Sequence, residues 1–288
     1  MVVLLAVMAA AGWGASDFFG GDASRRRTPV FVVVAVSELL GLALLVPVLL
    51  ARGVAPPANP RLLLAAAAGI AVTVELSLIY LALSRGDAFI TAPVGALGAA
   101  TAVTIGLIGG DRLDLAIAAG LLCALLGGAV SAWTSGTSNS RTTGVQTAAI
   151  CLGAAAAVGI TLTCLHAAGR LDAYWATAIE HASTGLSAGV AALAALAARR
   201  LSLRGILPPS SQLPALARIA AVGVGGDLAY AAASHKGALS VVSAISSLYP
   251  VATILLGRIL QGQGATRLQL FGITLALLGA ALLGAAAG

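Results

Sequence analysis

Long apolar runs alternate with short polar or turn-rich breaks along the whole chain. Ten runs stand out, at about 2–21, 30–51, 62–84, 88–109, 115–133, 144–167, 173–198, 214–235, 238–259 and 268–286. A bilayer core about 30 Å thick needs about 20 apolar residues per helix, so each run is long enough to span it or nearly so. The breaks include Arg25-Arg26-Arg27-Thr28-Pro29, Pro56-Pro57-Ala58-Asn59-Pro60, Asp111-Arg112-Leu113-Asp114 and Arg170-Leu171-Asp172. Barrel strands are shorter and alternate apolar with polar positions, which these runs do not. The pattern predicts an all-α integral membrane protein with ten transmembrane helices.

A polar stretch from Thr134 to Ser140 lies almost midway and invites a search for a repeat. Tyr80-Leu-Ala-Leu-Ser84 returns as Tyr230-Ala-Ala-Ala-Ser234, with Ala88 and Ala238 at matching offsets. Further on, Asp111 precedes Gly120 by the same interval as Gln263 precedes Gly272. The chain divides into a first five-helix unit (1–133), a linker (134–143) and a second five-helix unit (144–288). Five is odd, so the second unit enters the membrane from the opposite side. Inverted repeats of this kind build transporters that alternate access around a site near the midplane.

Composition agrees with the pattern. Of 288 residues, 59% are hydrophobic and 9% charged, against about 25% charged in soluble domains. Mean hydropathy is +1.02. These values exclude a soluble enzyme, a nucleic-acid reader and a disordered protein. The net charge of +6 is carried by Arg residues set between apolar runs, where they act as interfacial anchors and topology signals and not as a nucleic-acid surface. Cys123, Cys151 and Cys164 lie inside apolar runs without CxxC spacing and read as small buried hydrophobes.

Ionisable residues within the runs are the candidate chemistry. An Asp or Glu at a helix centre costs about 2.5–3.5 kcal/mol to insert, so a chain that keeps several has a partner or a use for them. Glu38 is central in the second run, Glu75 in the third and Asp227 in the eighth; Glu180 lies about a turn off centre in the seventh. Glu38 and Glu180 fall at similar depths in equivalent helices, as Glu75 and Asp227 nearly do. Burial raises a carboxyl's pKa toward the range where it exchanges protons, which suits proton coupling or a cationic solute. Glu38 and Glu75 are the first candidates.

Asp17 lies toward the end of the first run, where a cavity and an interfacial role are both open. His181 follows Glu180, and neighbours on a helix point about 100° apart, so the two need not act together. His166 and His235 lie near helix ends and read as wetted anchors. Trp13, Tyr80, Trp175, Tyr230 and Tyr249 suit either a solute-stacking wall or an interfacial belt. Pro93 and Pro250 each free a backbone carbonyl in the fourth and ninth helices, predicting kinks for gating. The ladders Gly185-x-x-x-Gly189 and Gly272, Ala276, Ala280, Gly284 allow close helix contact, within the chain or in a homodimer through the tenth helix.

Gly12-Trp13-Gly14-Ala15-Ser16-Asp17-Phe18-Phe19-Gly20, the two Tyr-to-Ser pieces and Gly110-Asp111-Arg112-Leu113 together resemble the EamA family of the drug/metabolite transporter superfamily. Ala92-Pro93-Val94 and Tyr249-Pro250-Val251 match part of its proline pattern. The resemblance covers nearly the whole chain. It departs at Asp111, where the family has Glu in an acidic turn, and at Gln263, which lacks the acid and the Arg after it. The resemblance implies a ten-helix fold with the first four helices of each half around a cavity and the fifth outside.

Enzyme motifs fall short. Gly14-Ala15-Ser16-Asp17 lacks the last glycine of the Gly-x-Ser-Gly of intramembrane serine proteases. Gly225-Gly226-Asp227 has Val224 where membrane aspartyl proteases carry a first glycine, and no paired-His metal spacing occurs. No enzyme, metal or other cofactor is expected, and no nucleotide-binding motif suggests ATP as the driver. The expectation is a multi-pass cell-membrane secondary transporter, an exporter of a small metabolite or drug-like solute, coupled to protons. The partners expected are that solute and the lipid bilayer, with no nucleic acid. A scaffold or pore is the runner-up. The loops after odd-numbered runs hold most of the Arg, including Arg25–Arg27, Arg141, Arg199 and Arg200; the others hold Arg52, Arg61, Arg112, Arg170 and Lys236. That bias puts the termini outside, whereas the family resemblance implies cytosolic termini. The whole-chain resemblance is the broader argument, and cytosolic termini are the expectation.

Overall fold

The computed structural model describes residues 1–25, 28–84, 91–131, 144–198, 200, 207–261 and 266–286; the side chains of Tyr80 and Pro93 lie outside this description. Among the described residues there are eleven α-helices and no strand. They are α1 (Val2–Arg25), α2 (Val30–Arg52), α3 (Leu64–Ser84), α4 (Thr91–Ile108), α5 (Leu115–Ser131), α6 (Gly144–Gly169) and α7 (Ala173–Ala197). The rest are α8 (Leu213–Ser234), α9 (Leu239–Ser246), α10 (Tyr249–Gln261) and α11 (Arg267–Ala286).

Local chemistry sets the helix ends. Gly53 closes α2 in the left-handed region at φ 60°, where a residue without Cβ is unstrained. The Asp172 side chain caps α7 by accepting from the Tyr174 and Trp175 amides. The ninth run corrects the expectation of one helix kinked at Pro250. It is broken at Ser247-Leu248, and Pro250 sits in the first turn of α10, where its missing N–H leaves no bond unmade.

Taking α9 and α10 as one broken helix, the five helices of each half correspond in order, and contacts between the halves come in mates. α1 packs on α8 as α6 packs on α3, α1 packs on α9 and α10 as α6 packs on α4, and α2 meets α8 as α7 meets α3. α2 with α7, α4 with α9 and α5 with α11 join equivalent helices. Small residues make these approaches. A Cβ on Gly12 would stand 2.7 Å from Gly226 Cα, and one on Gly127 would collide with the Ala276 backbone. Gly279 meets Ala124 in the same way. The Gly272–Ala276 part of the ladder is therefore spent inside the chain against α5, and a homodimer through this helix would need another of its faces. In the other ladder only Gly185 is in close contact, with Leu39, while Gly189 faces open space.

Fully buried alanines such as Ala9, Ala68, Ala154 and Ala244 fill the core, while Leu50, Ile108, Leu122, Leu186 and Ile259 are exposed on the outside. An apolar exterior of this extent suits lipid. Six segments among the described residues are long and apolar enough to cross a membrane: Val2–Gly20, Val30–Arg52, Pro60–Leu78, Leu152–Gly169, Ser210–Ser234 and Leu239–Leu260. Leu97–Ile108, Leu115–Val130 and Arg267–Leu283 are shorter apolar helices. α7 is long but carries buried Thr177, Glu180, His181 and Thr184 along one side, which lowers its hydropathy.

Candidate functional site

Helices of both halves enclose a cavity with about 930 Å³ of empty space, part of it open to the outside. The wall follows helical spacing. α1 contributes Trp13, Ser16 and Asp17; α3 contributes Val72, Glu75 and Leu76; α6 contributes Val158, Thr161 and Leu162. Each trio is i, i+3, i+4, one face of a helix. Glu38 comes from α2, Glu180 from α7, and Gly223 and Asp227 from α8. The break between α9 and α10 places Ser247 and Tyr249 on the wall. Helices α5 and α11 contribute none of the described lining residues.

Five carboxylates, Asp17, Glu38, Glu75, Glu180 and Asp227, face this space, and among the described residues no Lys or Arg does. His181 lies behind them with its side chain 1% exposed. Its Nδ1 is 2.5 Å from Glu38 Oε2, and its Nε2 is 3.3 Å from Asp227 Oδ2 and 4.0 Å from Glu180 Oε2. Neither ring nitrogen is aligned for a hydrogen bond, and Glu180 Oε2 also has no hydrogen-bond partner. The other carboxylate oxygens are held from behind. Trp13 Nε1 donates to Asp227 Oδ1 at 2.7 Å, and Thr184 Oγ1 donates to Glu180 Oε1 at 2.8 Å. Asp17 and Glu75, on the other side of the cavity, have no hydrogen bond or ion pair among the described residues.

Glycines admit this cluster. A Cβ on Gly41, one turn from Glu38, would lie 2.9 Å from His181 Nδ1. Gly12 and Gly14 let α1 close on α8 and α10, which aims Trp13 between them at Asp227.

The structure brings together Glu38, Glu75, Glu180, Asp227, Asp17 and Trp13 around one cavity, with His181 behind Glu38, Glu180 and Asp227. Asp17, left open between interface and cavity, is in the cavity. His181 and Glu180, read as independent neighbours, converge because Asp227 and Glu38 draw the imidazole between them. Tyr230 is a correction: it is fully buried, its ring 5.2 Å from that of Trp13, and its hydroxyl donates to Leu162 O at 2.7 Å. It ties α8 to α6 instead of facing a solute. Trp175 donates to Val54 O outside the cavity. His166, read as a wetted anchor, is buried. Tyr80 and Pro93 fall outside the described side chains. Ser16, Thr161 and Ser247 were missed. For Ser16 and Thr161 the helical spacing to Trp13 and Val158 was available as a signal; for Ser247 the helix break was not visible in an apolar run.

A second polar constellation lies at one end of the bundle. Arg52 makes a forked contact with Asp172, at 3.1 and 2.8 Å, and its guanidinium stacks 4.2 Å from the Tyr174 ring centre. Burial alone would raise the Asp172 carboxyl, but hydrogen bonds from Arg52 and the Trp175 and Tyr174 amides, with the Arg52 charge, hold it below its ordinary range.

The family model described as "EamA-like transporter family" matches residues 1–133 and 145–285. A solved structure described only as "Crystal structure of protein" superposes with a TM-score of 0.76 at 20% identity, covering 98% of this chain and 95% of that one. At that identity the likeness shows a shared fold. No curated protein matches the sequence.

Proposed function

Because the chain belongs to the EamA-like transporter family, we propose that it is a proton-coupled secondary transporter that exports a small metabolite or drug-like solute across the cell membrane. The observation that carries this is the cavity. It lies between the two halves, takes carboxylates from both, and is bordered by a helix broken at mid-length. Discontinuous helices at the interface of two repeats are where secondary transporters hold solute and coupling ion.

In this reading the ten runs are ten spans. The six long apolar segments, the three shorter ones and α7 make up the set, with the polar side of α7 turned inward. The matched contacts between halves support two inverted five-helix repeats, 1–133 and 144–288, joined by 134–143. Glu38 and Glu75 alternate between protonated and solute-paired states, and the break before Pro250 lets the wall move. The solute binds between the Glu75–Asp17 side and Tyr249, and the termini are cytosolic. A reporter fused to the C-terminal end that is active only in the external compartment would overturn that orientation.

The test is transport in vesicles together with thermal unfolding in detergent, screening amino acids, nucleobases, sugars, polyamines and cationic drugs at acidic and neutral pH. A solute that binds only the folded chain raises its melting temperature. Glu38→Gln and Glu75→Gln are expected to insert normally and to lower transport by about tenfold or more, as loss of a charged partner does. Full transport in both single variants overturns the mechanism.

A further inference from the structure

We propose that His181, Glu180 and Asp227 form a binding site for a divalent transition-metal cation inside this cavity, with Zn²⁺ the natural probe. The site is built by three features. First, the donors converge although they are scattered in the chain. Nε2 of His181 has Asp227 Oδ2 at 3.3 Å and Glu180 Oε2 at 4.0 Å, and ligand atoms of Glu38, Glu180 and His181 all lie within 4.8 Å of one another. A tetrahedral ion with bonds of about 2.0–2.1 Å separates its ligand atoms by about 3.3 Å, so the Nε2–Asp227 spacing already fits and the Glu180 carboxylate has to close in.

Second, Glu180 Oε2 and His181 Nε2 are buried without an aligned hydrogen-bond partner, while Nδ1 is taken by Glu38. Buried polar atoms are normally paired, and Glu180 Oε2 and His181 Nε2, which stand 4.0 Å apart, leave room for a ligand between them.

Third, the ligands are held from behind. Trp13 Nε1 fixes the other oxygen of Asp227, Thr184 Oγ1 fixes the other oxygen of Glu180, and the Glu38 carboxylate lies against His181 Nδ1. Outer partners of this kind orient metal ligands and raise their basicity. One imidazole with carboxylates suits Zn²⁺ and its neighbours, whereas Mg²⁺ and Ca²⁺ take oxygen donors. The binding site itself stands apart from the transport reading, although its place in the cavity makes the ion a solute or coupling ion if that reading holds.

The experiment is equilibrium dialysis of the purified full chain in detergent against Zn²⁺, with metal content measured per chain and folding checked by thermal unfolding. The expected result is one saturable Zn²⁺ per chain, lost in His181→Gln and Glu180→Gln and kept in Glu75→Gln. Trp13→Phe and Thr184→Ala, which leave the ligands in place, should weaken binding about 10–100-fold. No saturable Zn²⁺ in the parent chain, or unchanged affinity in His181→Gln and Trp13→Phe, overturns the site. Solute transport in vesicles is scored separately: transport without Zn²⁺ binding overturns only this site, and Zn²⁺ binding without any transport overturns only the transporter reading.

Discussion

A single missing methyl at position 41 is what lets an imidazole sit between two carboxylates. The Gly41 Cβ position is 2.9 Å from His181 Nδ1 and 3.0 Å from Val224 Cγ2, and neither neighbour is the free end of a flexible chain. Gly41→Ala should therefore push His181 off Glu38 and destabilise the fold by about 1–3 kcal/mol, the usual cost of overpacking. Thermal unfolding in detergent reads this directly, and an unchanged melting temperature would show that the α2–α7 contact is looser than described. Gly189→Ala is the matched control. Its Cβ meets nothing within 4 Å, and Ala is the better helix former, so the change should be neutral or stabilising by about 0.4–1 kcal/mol. The residues that matter here were partly legible from composition alone. A carboxylate in an apolar run announces itself through its insertion cost, and Glu38, Glu75, Glu180 and Asp227 all reached the cavity. His181 did not announce its role, because its partners lie on α2 and α8 and only packing brings them to it. Tyr230 misled for the converse reason: an aromatic with a polar tip fits a cavity wall and a buried backbone bond equally well by sequence.

At the scale of elements, the periodicity of the runs located the helices because lipid and core both demand apolar length. It failed at the ninth run, where Ser247 and Leu248 interrupt the helix without any change in hydropathy. The far end of that broken helix is tied to the first half. Asp111 Oδ2 accepts from the Ser240 amide at 2.8 Å, at the N-terminus of α9, so the acidic turn after α4 caps a helix of the other half. Asp111→Ala should cost about 0.5–2 kcal/mol, the range for a lost cap, and Asp111→Asn less; equal loss in both would point to charge and not to the hydrogen bond as the cause. The Arg52–Asp172 fork makes the corresponding tie between α2 and α7. The folded-state pKa of Asp172 is depressed, so its contribution is present above the ordinary carboxylate value of about 3.9 and is lost as pH falls through the lower, folded value. Arg52→Met should cost about 1 kcal/mol at neutral pH, discounted because the pair is partly exposed, and should flatten the fall in stability on acidification below about pH 4. Unfolding curves at neutral and acidic pH check both parts.

For the molecule as a whole, the mated contacts between halves carry a mechanical consequence. α2 with α7, α4 with α9 and α5 with α11 are the pairs of equivalent helices, so they lie where one half would turn against the other, while α1 on α8 and α3 on α6 flank the cavity. If the chain transports by rocking around this site, the same lining residue must be reached from the two sides of the membrane at different times. Ser16 is a suitable reporter. It lines the cavity beside Asp17, a thiol is close to its hydroxyl in size, and even a Cβ on Gly223 across from it would stand 3.7 Å from its Oγ. Ser16→Cys in a background with Cys123, Cys151 and Cys164 replaced should react with a membrane-impermeant thiol reagent. Without solute, labelling should favour one side; a transported solute, or a pH step across the membrane, should shift it toward the other. A ligand redistributes conformations only through its differential affinity for them, so the size of that shift also ranks candidate solutes. Labelling that stays on one side under every gradient, with transport intact, would mean the halves do not rock about this cavity. Labelling from both sides at once would mean an open pore, and the carboxylates would then act as a selectivity ring and not as a coupled binding site.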